Sequence, residues 1–325
     1  MILVCGGLAD TVTELVCARI EHLGYDYRLL DLGRYPDGYT ISWTWDGPHP
    51  EGSIRGPDWI LDIAELSGVY VRYLGLDGHA PMSSVPDGFE DAALAECQAG
   101  LAVFLDQLPC PVVNRIAPGM SNHSKPYQAL AIRQTGLRTP RTLITSDPAA
   151  AREFYDAGGG QVVFKSLSGI RSVVRRMTDS DLDRLELLRH GPAQFQSFVP
   201  GDNIRVHVVG GELFATRCRS EIVDYRYARR QGGSVTMEPV SLPDWVRAAC
   251  FALGPAAGLL ISGIDLKETP DGEYYCFEVN PSPGFSWYEQ ETGQPISAAL
   301  VELLRRGDQA LPTPAAEEVV AYVTG

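Results

Sequence analysis

Apolar and polar positions along this chain follow two rhythms, a period of two that marks strands and a period near 3.6 that marks helices. Residues 1–5 form a continuous apolar run that predicts a short buried strand, followed by a turn at Gly6-Gly7. Asp10 or Thr11 is placed to cap a helix running to about Leu23; Gly24 ends it, and residues 27–32 resume as a strand. This order predicts a small parallel α/β layer. Residues 39–45 and 68–73 read as further strands, joined by a Gly/Pro-rich connection that contains His49. A helix over about 88–108 offers Ala92, Leu94, Cys97, Leu101, Phe104 and Leu105 as a buried stripe, and Pro109 and Pro111 lead into Val112-Val113-Asn114. A first domain is expected to end near Ala117.

Further along, helices are predicted over about 148–157, 179–188 and 243–258, and strands over 161–164 and 193–199. Residues 204–209 and 212–218 flank Gly210-Gly211 as a hairpin. Alternation puts Ile204, Val206 and Val208 on one face and Arg205, His207 and Val209 on the other. A second hairpin is expected over 261–280, ISGIDLKETPDGEYYCFEVN, turned at Asp271-Gly272. That turn sets Asp265 directly opposite Glu278, and Asn280, two positions on, shares their face. Tyr275, Phe277 and Val279 are expected on the core face.

Like charges opposite one another on a sheet repel, so Asp265 and Glu278 make sense mainly around something positive. With Asn280 they supply three oxygens, a partial shell for a hard cation such as Mg²⁺. The other reading is an ordinary hairpin whose acids face water. Lys165 ends an apolar strand and precedes Ser166, Ser168 and Gly169, which together offer a point charge, hydroxyls and backbone amides to a phosphate. Alone, Lys165 equally fits a lysine snorkelling from a strand end. Gly6-Gly7 lacks the GxGxxG pattern and reads as a plain turn. His207 reads as a structural donor rather than a base. In RCRSEIVDYRYARR, Arg217, Arg219, Arg226, Arg229 and Arg230 crowd one segment, by default a solvated charged loop.

Composition narrows the class. At 325 residues, 45% hydrophobic and 21% charged, the chain is long enough for two or three subdomains. A net charge of -14 argues against a nucleic-acid partner, and any anionic substrate must be met by a local cluster of Lys and Arg. Seven cysteines without CxxC spacing fit reduced thiols in a cytoplasm. No signal peptide and no run of eighteen apolar residues is evident, so a soluble, cytoplasmic protein without a membrane partner is expected.

The stretch VVNRIAPGMSNHSKPYQALAIRQTGLRTPRTLITSDP is similar, nearly position by position, to the segment leading into the ATP-grasp domain of microviridin-type peptide ligases. The hairpin at 261–280 with Pro281-Ser282-Pro283-Gly284 resembles the metal-binding end of ATP-grasp ligases. Together the resemblance covers about 112–304. It implies an ATP-grasp fold with α/β and α+β parts: an N-terminal α/β pre-ATP-grasp domain at 1–117, a central subdomain at 118–192, a C-terminal subdomain with the metal site at 193–307, and a tail at 308–325 without assigned role. It implies ATP and Mg²⁺ as cofactors. Lys125 and Lys165 become the nucleotide-binding lysines, although a lysine before a proline at a helix start could equally be solvated. Ser166 joins the flap, and Gln196, Phe198 and Val199 lie beside adenine, held by the hinge backbone, with Asp202 grouped with them. Arg205 is matched to an arginine beside the transferred phosphoryl group, and Asp265, Glu278 and Asn280 to the Mg²⁺ ligands. Ser220, Asp224 and Arg226, with Glu289, are expected to face a substrate carboxylate or acyl phosphate. Ser197 departs from the pattern, since relatives usually have Glu there. The implied activity is ATP-dependent joining of a carboxylate to an amine or hydroxyl through an acyl phosphate, in a ribosomally made precursor peptide. The alternative is RimK-like addition of an amino acid or amine to a peptide or small-molecule carboxylate. The partner is then a precursor peptide or small carboxylate, and a homodimer is allowed.

Overall fold

The computed structural model describes residues 1–47, 49–72, 88–120, 125–167, 174–222, 225–227 and 232–307. The chain divides into two compact units, one of Met1–Val113 with the chain from Ala298 onward, the other of Asn114–Ser297.

In the first unit, β1 (Ile2–Gly6), β2 (Tyr27–Asp31), β6 (Gly68–Val71) and β7 (Val112–Val113) form a parallel sheet in the order β2-β1-β6-β7. The crossover from β1 to β2 is α1 (Thr11–His22), capped by Asp10, whose carboxylate accepts the Thr13 amide at 2.9 Å. Arg72, just past β6, reaches the same carboxylate at 3.2 Å. The Gly/Pro-rich connection holds more structure than its sequence suggests. β3 (Thr40–Thr44), β4 (Glu51–Arg55) and β5 (Ile60–Asp62) make a separate antiparallel sheet. β4 is polar and contains Gly52, so it carries little strand propensity. Gly52 is required by packing, because a Cβ there would collide with the Ser42 carbonyl. In α2 (Glu90–Gln107) only the second half of the expected stripe is buried: Leu101, Phe104 and Leu105 are covered, Leu94 and Cys97 partly, and Ala92 is exposed.

The second unit begins with α3 (Ile116–Gly119) and α4 (Lys125–Gln134). An antiparallel sheet follows in the order β10-β9-β11-β8, from β8 (Thr142–Thr145), β9 (Val162–Lys165), β10 (Arg175–Arg176) and β11 (Ala193–Ser197). α5 (Pro148–Ala157), with Asp147 as its cap, buries Ala151 and Phe154 against Val162 and Phe195. The helix expected at 179–188 is instead α6 (Asp179–Leu182), a single turn with a capping box, and a 3-10 segment at Leu185–His190. A five-stranded antiparallel sheet comes next, from β12 (Asp202–Val209), β13 (Glu212–Arg219), β14 (Thr236–Pro239), β15 (Ile261–Glu268) and β16 (Tyr274–Asn280), in the order β14-β13-β12-β15-β16. One of its faces packs on α7 (Asp244–Ala256) through Ile204, Val206, Ile264 and Leu266 against Val246, Cys250 and Leu253. α8 (Ser286–Thr292) and α9 (Ile296–Arg306) close the described chain.

The β15–β16 hairpin differs from its sequence reading in two respects. Its connection is a five-residue loop, since Glu268 pairs with Tyr274, rather than a tight turn at Asp271-Gly272. A bulge then interrupts the ladder, with Leu266 opposite Cys276 but Asp265 opposite Glu278. The extra residue, Phe277, reverses the alternation, so the core face carries Tyr274, Cys276 and Val279 instead of Tyr275, Phe277 and Val279. Among the described residues, no helix is long and apolar enough to cross a membrane.

Candidate active site

Strand register alone lines up the charges of the site. Arg205 on β12 is opposite Asp265 on β15, and Asp265 is opposite Glu278 on β16, so three ionised groups form one row across three strands. The two like charges are each flanked by a cation. Arg205 Nη1 donates to Asp265 Oδ1 at 2.6 Å, and Lys165 Nζ, at the end of β9, lies 4.0 Å from Glu278 Oε2. Lys125, at the start of α4, donates to the Ser166 carbonyl at 3.2 Å. Burial, followed by the neighbouring Lys165 charge, holds the Lys125 ammonium below the usual lysine range. Such a site is short of negative charge on its lysine side and prepared for an anion.

These residues surround an open cavity, lined by Lys125, Lys165, Gln196, Phe198, Val199, Arg226, Asp265, Glu278 and Asn280 among others. The bulge brings Phe277 into the same lining beside Glu278. Asp265, Glu278 and the Asn280 amide provide oxygen donors only, the chemistry that suits Mg²⁺ with water and phosphate completing its shell. Among the described residues no group of three or more His, Cys, Asp and Glu could hold a metal; the Asn280 amide lines the cavity with the two carboxylates. Asn280 Oδ1 also accepts the Ser282 amide at 2.9 Å, which fixes its orientation.

At the end of β11 the Ser197 and Phe198 amides donate to the Arg141 and Gln161 carbonyls at 2.9 and 2.8 Å, while the Val199 amide has no backbone partner among the described residues. The Val199 carbonyl accepts Lys267 Nζ at 3.0 Å, and the same ammonium lies 5.3 Å from the Phe198 ring centre. Lys267 lines the cavity, and sequence reasoning missed it. Its strand position resembles any exposed hairpin lysine, and only the tertiary fold turns it toward the hinge.

Other predicted residues are placed elsewhere. Arg205 is not among the cavity-lining residues; only 5% exposed, it lies behind Asp265 and grips that carboxylate rather than open space. Burial works against the guanidinium charge, but Asp265 outweighs it and raises the pKa above the usual arginine value. Asp202 pairs with Arg219 at 3.1 Å and Arg217 at 3.6 Å and is absent from the cavity lining. Ser166 is exposed and absent from the lining, and its carbonyl accepts the Lys125 ammonium. Ser220 Oγ accepts the Ile222 amide at 3.2 Å, a local turn contact. Glu289 is buried and accepts the Ser297 amide and hydroxyl at 2.7 and 2.6 Å, so its carboxylate caps α9 instead of facing a substrate. Asp224, Ser168, Gly169, Arg229, Arg230 and the 308–325 tail lie outside the described residues.

Two buried amides that sequence reasoning passed over hold the hairpin in place. Asn114 donates to the Ile261 carbonyl at 2.7 Å and to the Pro281 carbonyl, and accepts the Leu260 and Ile261 amides at 2.7 and 3.1 Å. Gln128 on α4 donates to the Val279 carbonyl at 2.7 Å and accepts its amide at 3.3 Å. Both ends of the β15–β16 hairpin are thereby tied to the start of the second unit.

Proteins of known structure share this fold. Macrocyclase MdnC from Microcystis aeruginosa MRC, solved bound with precursor peptide MdnA, is 28% identical with a TM-score of 0.77, over 94% of this chain and 99% of that one. ATP-grasp ligase PsnB, solved with a phosphomimetic variant of a minimal precursor, Mg and ADP, is 27% identical with a TM-score of 0.78, over 93% and 97%. Among curated relatives, a probable alpha-L-glutamate ligase of Aliivibrio salmonicida (strain LFI1238) is 27% identical over 186 residues, 54% of this chain and 60% of the relative. The chain therefore spans about three fifths of the length of that relative. The RimK-like ATP-grasp domain family matches residues 121–304, a span that takes in both lysines, the hinge, the charge row and the hairpin. On that match the chain belongs to the RimK-like ATP-grasp family.

Proposed function

We propose that this protein is an ADP-forming, ATP-dependent ligase that activates a carboxylate as an acyl phosphate and passes it to an amine or hydroxyl of a peptide. The observation that carries the reading is the Asp265–Glu278 pair, backed by the buried Arg205, facing Lys165 and Lys125 in one cavity. Adenine would rest against Phe198 and Phe277 with the Val199 amide as donor. Lys125 and Lys165 would neutralise the phosphates, while Asp265, Glu278 and Asn280 would hold Mg²⁺, which supplies charge neutralisation between the phosphates. A substrate carboxylate oxygen attacks the γ-phosphorus as the bond to the ADP oxygen breaks, giving the acyl phosphate. The amine or hydroxyl then attacks the acyl carbon, inorganic phosphate leaves, and the nucleophile's proton passes to phosphate or solvent. The chain's part is positioning and electrostatics, so no nucleophilic side chain is required.

The leading substrate is a precursor peptide whose acidic side chains become joined to Ser, Thr or Lys side chains, a reading supported by the likeness to ligases solved with precursor peptides. Arg226, in the cavity lining, is the candidate contact for the reacting carboxylate. A RimK-like addition of an amino acid remains the second reading, favoured by the curated relatives named glutamate ligases. Intact-mass spectrometry of candidate peptides incubated with protein, ATP and Mg²⁺, with ADP assayed in parallel, decides between them. Loss of one water per bond with ADP formation supports cross-linking, and a mass gain equal to an amino acid or amine supports addition. Wild-type ADP formation in Lys165→Met or Glu278→Gln would overturn the site assignment.

A further inference from the structure

Beneath the charge row lies a histidine that the proposed chemistry does not use. His207 is two residues after Arg205 on β12, on the same face, and is fully buried. Its Nε2 accepts the Arg205 Nε–H at 3.3 Å, which leaves the imidazole proton on Nδ1, beside the Gly284 backbone. Burial, followed by the Arg205 charge, holds the ring neutral, well below the usual histidine range. Only a neutral ring can present the lone pair that this bond needs.

Arg205 is also shaped from other sides. Its guanidinium lies 5.7 Å from the centre of the Tyr288 ring, which packs edge-on against His207 at 5.0 Å. On the facing strand, a Cβ at Gly263 would collide with Arg205 Nη2 and come 2.6 Å from the Pro283 Cβ. The guanidinium thus occupies a slot with one acceptor at Nε, one carboxylate at Nη1 and a glycine opening beside Nη2. A planar fork fixed at Nε has one orientation left for Nη1, and that orientation determines where Asp265 presents its oxygens.

We propose that His207 is a positioning residue that sets the orientation of the Asp265 carboxylate through the Arg205 guanidinium, and so tunes the affinity of the site for a divalent cation. The inference rests on the nucleotide and Mg²⁺ reading above. It gives His207 a role distinct from acid–base chemistry, comparable to outer partners that orient metal ligands elsewhere, whose loss typically weakens metal binding about 10–100-fold.

The test compares full-length wild type with His207→Leu, which removes the acceptor, and His207→Gln, whose Oε1 can restore it. Mn²⁺ is the probe, read by the electron paramagnetic resonance signal of free Mn²⁺ in the presence of a non-hydrolysable ATP analogue. Binding of the analogue in EDTA and thermal melting are measured alongside. The expected result is Mn²⁺ affinity about 10–100-fold weaker in His207→Leu, analogue affinity in EDTA unchanged, and substantial recovery in His207→Gln. The Mg²⁺ needed for half-maximal ADP formation should rise in parallel. Gly263→Ala, which displaces the guanidinium from the opposite side, should reproduce the Mn²⁺ defect and decides the matter if His207→Leu does not fold. Wild-type Mn²⁺ affinity in the Leu variant, or in Gly263→Ala where the Leu variant does not fold, overturns the proposal, as does a Gln variant as weak as Leu. If the wild type binds neither analogue nor Mn²⁺, the ligase reading itself fails; if it binds both and the variants match it, only the role of His207 fails.

Discussion

Asn114 offers the most direct test of how the site is held. Its side chain is 6% exposed and satisfies four backbone groups: the amides of Leu260 and Ile261 and the carbonyls of Ile261 and Pro281. Those groups flank the start of β15 and the end of β16, the two ends of the hairpin that carries Asp265, Glu278 and Asn280. Asn114→Ala leaves all four without their partner. A buried polar group without a partner costs about 1–3 kcal/mol, and water entering the vacated space can recover part of four such losses, so a net loss of about 3 kcal/mol is expected. At about 2–4 °C per kcal/mol for a unit of this size, melting should fall by about 6–12 °C. Asn114→Asp should be at least as damaging, because it keeps the acceptor for the two amides but sets a carboxylate against two carbonyls. Thermal melting by circular dichroism measures both, and the Mg²⁺ dependence of ADP formation shows whether the loosened hairpin still assembles its donors. An Asn114→Ala protein that melts with the wild type would refute the clamp and the bookkeeping behind it.

Other outcomes follow from the same contacts. Burial alone would raise the Asp10 carboxyl, but Arg72 and the Thr13 amide outweigh it and hold it below the usual carboxylate range. A depressed folded pKa contributes stability above the unfolded value near 3.8 that is lost as pH falls through the folded value, so Asp10→Asn should lose about 1.5–3 kcal/mol at neutral pH and show a shallower acid limb in urea titrations. Glu289→Ala should lower stability by about 2–4 kcal/mol by freeing Ser297, while the peptide KM of the folded fraction stays unchanged; a raised KM at wild-type stability would restore the substrate role. Deleting Phe277 should make the β15–β16 ladder regular with Glu278 still opposite Asp265. It should weaken ATP by up to about tenfold through the lost ring contact yet retain Mg²⁺-dependent turnover, and loss of that metal dependence would refute the reading of the bulge.

The placing of Asp265 opposite Glu278 was legible in the sequence, but two departures from the simple reading had to cancel. Symmetry about Asp271-Gly272 pairs 265 with 278. The real loop shifts the ladder by one, and the bulge at Phe277 shifts it back. Counting from the turn therefore reaches the right pair, while the alternation past the bulge assigns Tyr275 and Phe277 to the wrong face. A bulge is a choice made by two strands together, and no single strand's pattern announces it. The same limit explains β4, whose residues apart from Ile54 are polar or small and which pairs with β3 on one side and β5 on the other.

What the sequence conceals is the destination of polar side chains. Asn114 and Gln128 bond to groups 147 and 151 positions away, so neither has a local signature. Glu289 shows the reverse case: it matches a substrate-facing position by resemblance, and Ser297, eight residues on, donates to its carboxylate at the start of α9. Arg205 falls between these cases. Strand alternation puts it in the charge row, and its type suits phosphate, but the depth of its slot is set by Gly263 and His207 and directs it to Asp265. Local periodicity determines which face a charged group occupies, whereas its partner on that face depends on which neighbours leave room. The chemistry of the row was readable for the first reason, and the order in which its members act on one another emerges only from the second.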